Sequence, residues 1–120
     1  MTGCSKKKET FRTVHLIADL EAPQMDESPK AVKKLLWEAA KAANNTPLKA
    51  SVHKFPVQGI TGVVILAESH IAIHTWPEHN HIALDIFTCG ENTQPYAALE
   101  YLKSKLKPTK IKIKFLKRGI

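Results

Sequence analysis

Thr61-Gly62-Val63-Val64-Ile65-Leu66-Ala67-Glu68, followed at once by Ser69-His70-Ile71-Ala72-Ile73-His74-Thr75-Trp76, is the stretch that decides the fold. Both halves are rich in β-branched residues, and both read as strands. The unbroken apolar run of residues 63–66 predicts a strand covered on both faces. The break falls around Glu68 and Ser69. Residues 77–80, opened by Pro77, separate the second run from another strand-like segment over 81–88. Upstream, residues 48–55 form a fourth such run, set off by Gly59.

Working outward, residues 11–20 alternate loosely and read as a strand, and residues 21–27 read as a loop. Ser28-Pro29 is a helix start, a capping serine followed by proline in the first turn. Val32, Leu35, Leu36, Ala39, Ala40 and Ala43 then fall on one helical face. Asn44-Asn45 and Pro47 end that helix. A second helix is expected over residues 93–106, with Thr93 as its cap, Pro95 early, and Ala98, Leu99, Leu102 and Leu106 inward. Residues 110–116 alternate lysine with apolar side chains, the pattern of a strand with one wet face. Lysines there also discourage edge-to-edge pairing. The order is strand, helix, several strands, helix, strand. It predicts one α+β domain over 1–120, a two-layer sandwich of a mainly antiparallel sheet with two helices on one face. Residues 1–9 read as a disordered tail.

Composition narrows the function classes. With 43% hydrophobic and 24% charged residues, the chain reads as an ordinary globular protein. No apolar run is long enough for a membrane helix. The basic N-terminal run is not followed by an apolar segment, so it does not read as a signal peptide, and a cytoplasmic protein is expected. The net charge of +7 gathers between Glu91 and Ile120, where eight basic residues face two acidic ones. Its spacing reads as a solvated surface and not as a nucleic-acid footprint. Of the two cysteines, Cys4 falls in the tail, so Cys89 is expected as a free thiol.

The densest chemistry lies between Glu68 and His81. His70, His74, His79 and His81 do not follow the spacing of a common zinc site, so no metal is assigned. Ser69, His74 and Asp85 lack the glycines of a nucleophile elbow. Taken singly, each of these side chains reads as part of a half-exposed strand. Their combination is different. His53-Lys54-Phe55, Gly62-Val63-Val64, Glu68-Ser69-His70, Ile73-His74-Thr75-Trp76-Pro77-Glu78 and Phe87-Thr88-Cys89-Gly90 resemble the signature of the prokaryotic S-adenosylmethionine decarboxylases, with matching order and gaps over residues 53–90.

That resemblance implies a chain that cuts itself. The Ser69 hydroxyl attacks the Glu68 carbonyl, and cleavage between 68 and 69 leaves a β chain, 1–68, and an α chain, 69–120. The α chain begins with a pyruvoyl group made from Ser69. Such a carbonyl supplies the electron sink that side chains lack, through a Schiff base with the substrate amine. By the same resemblance, His74 is the acid/base of processing, Thr61 supports it, and Cys89 returns a proton to the substrate Cα. Phe55 and Trp76 are the aromatics near the substrate, and Glu78 accepts hydrogen bonds from it. Aromatic faces suit both an adenine and a sulfonium cation. Members of this short form are dimers, so a homodimer of processed αβ protomers is implied, making the aminopropyl donor for spermidine.

Two stretches depart from the family pattern. Members commonly carry a Gly-Cys pair soon after the first strand's acidic residue, and residues 19–24 here have neither. After Trp-Pro-Glu, members commonly have Tyr-Gly-Tyr, and this chain has His79-Asn80-His81. A pyruvoyl decarboxylase of ornithine or arginine therefore stands as the alternative. Finally, Ser69 and His74 are five positions apart, which puts them on opposite faces of an ideal strand. A turn or bulge near Ser69 is expected.

Overall fold

The computed structural model describes residues 12–119, with side chains from 13 onward. The expected tail and Cys4 lie outside the described residues. Six strands form one sheet: β1 (Arg12–Glu21), β2 (Pro47–Lys54), β3 (Ile60–Leu66), β4 (Ser69–Trp76), β5 (His81–Cys89) and β6 (Lys110–Gly119). Their order across the sheet is β2-β3-β4-β5-β1-β6, and every neighbouring pair is antiparallel. Helices α1 (Pro29–Ala42) and α2 (Pro95–Leu106) pack on one face. This is the expected two-layer α+β sandwich.

The core lies between helices and sheet. Strand alternation turns Leu16, Ala18 and Leu20 of β1, Ile71 and Ile73 of β4, and Ile82, Leu84 and Ile86 of β5 toward the helices, all essentially buried. Val32, Leu36, Ala39 and Ala40 of α1 and Ala98, Leu99 and Leu102 of α2 complete it. Each such Leu or Ile contributes roughly 1.5–3 kcal/mol on leaving water. Gly62 of β3 is where α1 comes closest: a Cβ there would sit 3.2 Å from Leu36 Cδ1 and 3.2 Å from Val52 Cγ2. Ser28 caps α1, accepting from the Ala31 N–H at 3.2 Å.

Two expectations are corrected. The apolar run of β3 is covered on one side only: Val64 and Leu66 are buried, whereas Ile65 is 45% exposed on the opposite face. Both helices lie on one side, so the described residues leave the other face open. The second helix is capped by Gln94, without a side-chain bond, and not by Thr93. The Thr93 hydroxyl instead bonds Thr88 Oγ1 at 2.9 Å and accepts from Asn45 Nδ2 at 2.9 Å. The expected lysine-bearing edge strand is β6, whose Lys110 and Lys112 stand opposite Glu21 and Asp19 of β1.

Candidate active site

Strand alternation sends a second set of side chains to the open face. His70, Ala72, His74 and Trp76 of β4 lie there beside His81, Ala83, Asp85 and Phe87 of β5. The chemistry divides between two ends of β4.

At the first end, residues 67 and 68 form a tight turn closed by the Leu66–Ser69 pair. The turn is tied down at its base. Ala67 N–H donates to the Thr46 carbonyl at 2.9 Å. Glu68 Oε1 accepts from the Thr46 N–H at 2.9 Å, and Oε2 from its hydroxyl at 3.2 Å. Cys89 Sγ lies 3.2 Å from the Glu68 carbonyl oxygen. The end of β5 and its following loop are braced by Thr88, Asn45 and Thr93, and by Gln94 N–H donating to the Ala43 carbonyl at 2.8 Å. Cys89 is therefore held beside the Glu68–Ser69 peptide bond. It is not the expected free thiol: Cys89 is disulfide-bonded, and no cysteine among the described residues is free.

At the other end, Thr61 of β3 and His74 of β4 are direct cross-strand partners. Thr61 Oγ1 lies 3.3 Å from His74 Nδ1. Trp76 closes β4, 41% exposed, with its ring centroid 6.2 Å from that of His74. Glu78 follows in a short 3-10 turn, Pro77–His79, and is exposed. Phe55 lies just past β2, 44% exposed, edge-on to His53 at 4.6 Å. Gly59 holds φ +98° beneath it, and a Cβ there would meet the Thr75 carbonyl at 3.2 Å. His53 pairs with Thr61, and Thr61 with His74, so Phe55 packs against the residue at the β2 end of that cross-strand row.

The expected turn precedes Ser69, whose own φ of +154° departs from strand geometry; from His70 to Trp76 the pairing is regular and without a bulge. Five residues of regular strand span about 16 Å. One chain thus brings Ser69, Glu68 and Cys89 together, and Thr61, His74 and Trp76 together, but not the two groups. Thr46 and the Asn45–Thr88–Thr93 brace were invisible in the sequence, being polar residues scattered over nearly fifty positions. Between the two ends, His15 pairs with Asp85, and Arg118 stacks on Phe87 with its guanidinium carbon 4.9 Å from the ring centre. Among the described residues, no group of three or more His, Cys, Asp or Glu is placed to hold a metal ion. No helix among them is long and apolar enough to cross a membrane.

The family model of S-adenosylmethionine decarboxylase matches residues 14–119. The chain belongs to the S-adenosylmethionine decarboxylase family. It is 44% identical over 109 residues to an S-adenosylmethionine decarboxylase proenzyme of Methanococcus maripaludis, covering 88% of each chain. It is 42% identical to one of a Sulfurihydrogenibium species, covering 89% of this chain and 82% of that one. The crystal structure of the adenosylmethionine decarboxylase from Aquifex aeolicus superposes with a TM-score of 0.80 at 38% identity, over 90% of this chain and 91% of the other. The chain is thus a member of a carboxy-lyase family that acts on a small molecule.

Proposed function

We propose that this chain is the self-cleaving precursor of a pyruvoyl-dependent S-adenosylmethionine decarboxylase, working as a homodimer in the cytoplasm. The observation that carries the reading is the Cys89 sulfur placed 3.2 Å from the Glu68 carbonyl oxygen, at the turn that ends in Ser69. The proenzyme name shared by the relatives supports cleavage.

Cleavage begins when the Ser69 hydroxyl adds to the Glu68 carbonyl carbon. The amide nitrogen leaves, and the peptide bond becomes an ester to the serine oxygen. Removal of the Ser69 Cα proton then expels the Glu68 carboxylate, which becomes the end of the β chain. The Thr46 clamp on the Glu68 carboxylate keeps the turn in place while negative charge builds on the neighbouring carbonyl oxygen. The reduced Cys89 thiol stabilises that charge as a donor. Hydrolysis of the remaining enamine leaves ammonia and a ketone.

The residues around Ser69 suit such a group: a tight turn, a clamped carboxylate and a sulfur at the carbonyl. Its ketone supplies the electron sink for the pair released with carbon dioxide. Cys89 then returns a proton, a role for which a thiol is suited. Thr61 bonds His74 Nδ1 and so orients the imidazole as acid/base. Trp76 and Phe55 offer faces to the adenine and the sulfonium, and Glu78 offers an acceptor. No observation favours ornithine or arginine.

The separation along β4 supports the homodimer. Proton transfer requires contact within ~3 Å, and about 16 Å separate Ser69 from His74 in one chain. A two-fold axis pairs unlike ends of the same surface. Two copies packed through their open faces would set the Glu68–Ser69 turn at the end of one copy's β4 near His74 and Thr61 of the partner subunit. Exposed Ile65 and half-buried Ile17, Val63, Ala72 and Phe87 give that face an apolar centre.

Denaturing mass spectrometry after borohydride trapping tests the reading. Two fragments split at Glu68/Ser69 are expected, the α fragment gaining mass only with S-adenosylmethionine. An adduct with ornithine or arginine instead overturns the substrate, and an uncut chain without adducts overturns the enzyme.

A further inference from the structure

The two stretches where this chain leaves the family pattern meet in space. Glu21 and His81 face each other across β1 and β5. The Ala22 N–H donates to the Asn80 carbonyl at 2.8 Å. Ala22 and Asn80 both hold left-handed backbone, φ +52° and +50°, a conformation usual for glycine. The departures are therefore one structural change and not two.

What this change presents to the site is His81. Its Nε2 lies 3.1 Å from Asp19 Oδ1, so the neighbouring strand fixes the ring's orientation. The ring centroid is 5.8 Å from that of Trp76, at an interplanar angle of 42°. His74, two residues back on β4, is the indole's other imidazole neighbour, 6.2 Å away at 31°. Beyond His81 opens a cavity of about 420 Å³ lined by Asp19, Glu21, His81, Lys110 and Lys112. Removal of the His81 ring would join that cavity to the indole's flank and free the indole to turn away from His74.

The geometry points to His81, tethered by Asp19, as a positioning residue for substrate binding by Trp76. This rests on the reading of Trp76 as the aromatic that receives the nucleoside. His81 touches the indole and not the substrate. It acts by holding the tilt of the surface on which the base stacks. Its loss therefore weakens binding more than it slows chemistry.

The test is steady-state decarboxylation of S-adenosylmethionine by the full chain under reductant, with self-cleavage followed separately. His81→Ala is expected to raise KM roughly three- to tenfold, the worth of one aromatic pair, with kcat within about twofold and cleavage unchanged. His81→Tyr should return KM to the parent value. Asp19→Ala should raise KM with His81 present and add nothing once His81 is alanine. An unchanged KM in His81→Ala overturns the proposal. So does a rise that tyrosine does not correct, or a kcat that falls in parallel. Should His81→Ala fail to fold, Asp19→Ala decides alone, because it keeps the ring and removes only the tether. An unchanged KM there overturns the proposal equally. A parent chain that turns over S-adenosylmethionine while KM ignores His81 removes this proposal only. A parent chain that does neither removes the functional reading with it.

Discussion

Two inactive variants should restore each other. On the proposed mechanism, Ser69→Ala cannot form the electron sink but keeps His74 and Thr61. His74→Ala keeps Ser69, Glu68 and Cys89 but lacks the acid/base. If one chain held a whole site, a mixture of the two would stay dead. The structure argues otherwise, because Ser69 and His74 lie at the two ends of a stretch of β4 whose register does not shift. That leaves about 16 Å between groups that must approach within ~3 Å. In a dimer with shared sites, the mixed pair contains one complete site and one that lacks both residues. Random pairing of equal amounts makes about half the dimers mixed, so roughly a quarter of the sites are competent. The assay is co-expression with distinguishable tags, followed by mass spectrometry of each chain and by release of carbon dioxide. About half of the His74→Ala chains should be cut at Glu68/Ser69, none of the Ser69→Ala chains should be, and activity should approach a quarter of the parent. A mixture shown to contain mixed dimers, yet neither cut nor active, would refute the shared site and require a rearranged β4 in the single chain.

Three smaller outcomes follow from the same geometry. Thr61→Val removes the partner of His74 Nδ1, and the cleavage rate constant measured on gels should fall about two- to tenfold, the worth of one hydrogen bond. Because Cys89 is disulfide-bonded here, turnover should rise when reductant frees the thiol, and Cys89→Ala should lose that response together with most of its activity. Gly62→Ala forces a methyl to 3.2 Å from Leu36 and Val52, and chemical denaturation should show a loss of about 1–3 kcal/mol. An unchanged midpoint would mean that α1 yields more easily than a packed core should.

The two helices and the strands were legible because their signal is local. Val32, Leu36, Ala39 and Ala40 recur at the helical period, and all four are buried on one face. Ile71 and Ile73 alternate with His70, Ala72 and His74, and burial alternates with them. The motif from Glu68 to Cys89 was legible as a resemblance, because rare residue types recur there in order. Thr93 was misread as a helix cap. Its hydroxyl has better partners in Thr88 and Asn45, and a capping pattern cannot reveal a competitor that lies 48 residues away.

By itself, the sequence determined which residues alternate, which face of each helix is apolar, and which side chains can do chemistry. Those properties depend on neighbours a few positions apart. Only the tertiary structure decided the rest. It put the Cys89 sulfur on the Glu68 carbonyl across 21 positions, clamped Glu68 with Thr46, and joined Asp19 to His81 across 62. It also set Ser69 and His74 at separate places along one straight strand. Strand order and register settle such pairings, and they arise from burial of the whole sheet against two helices, which no short window of sequence contains.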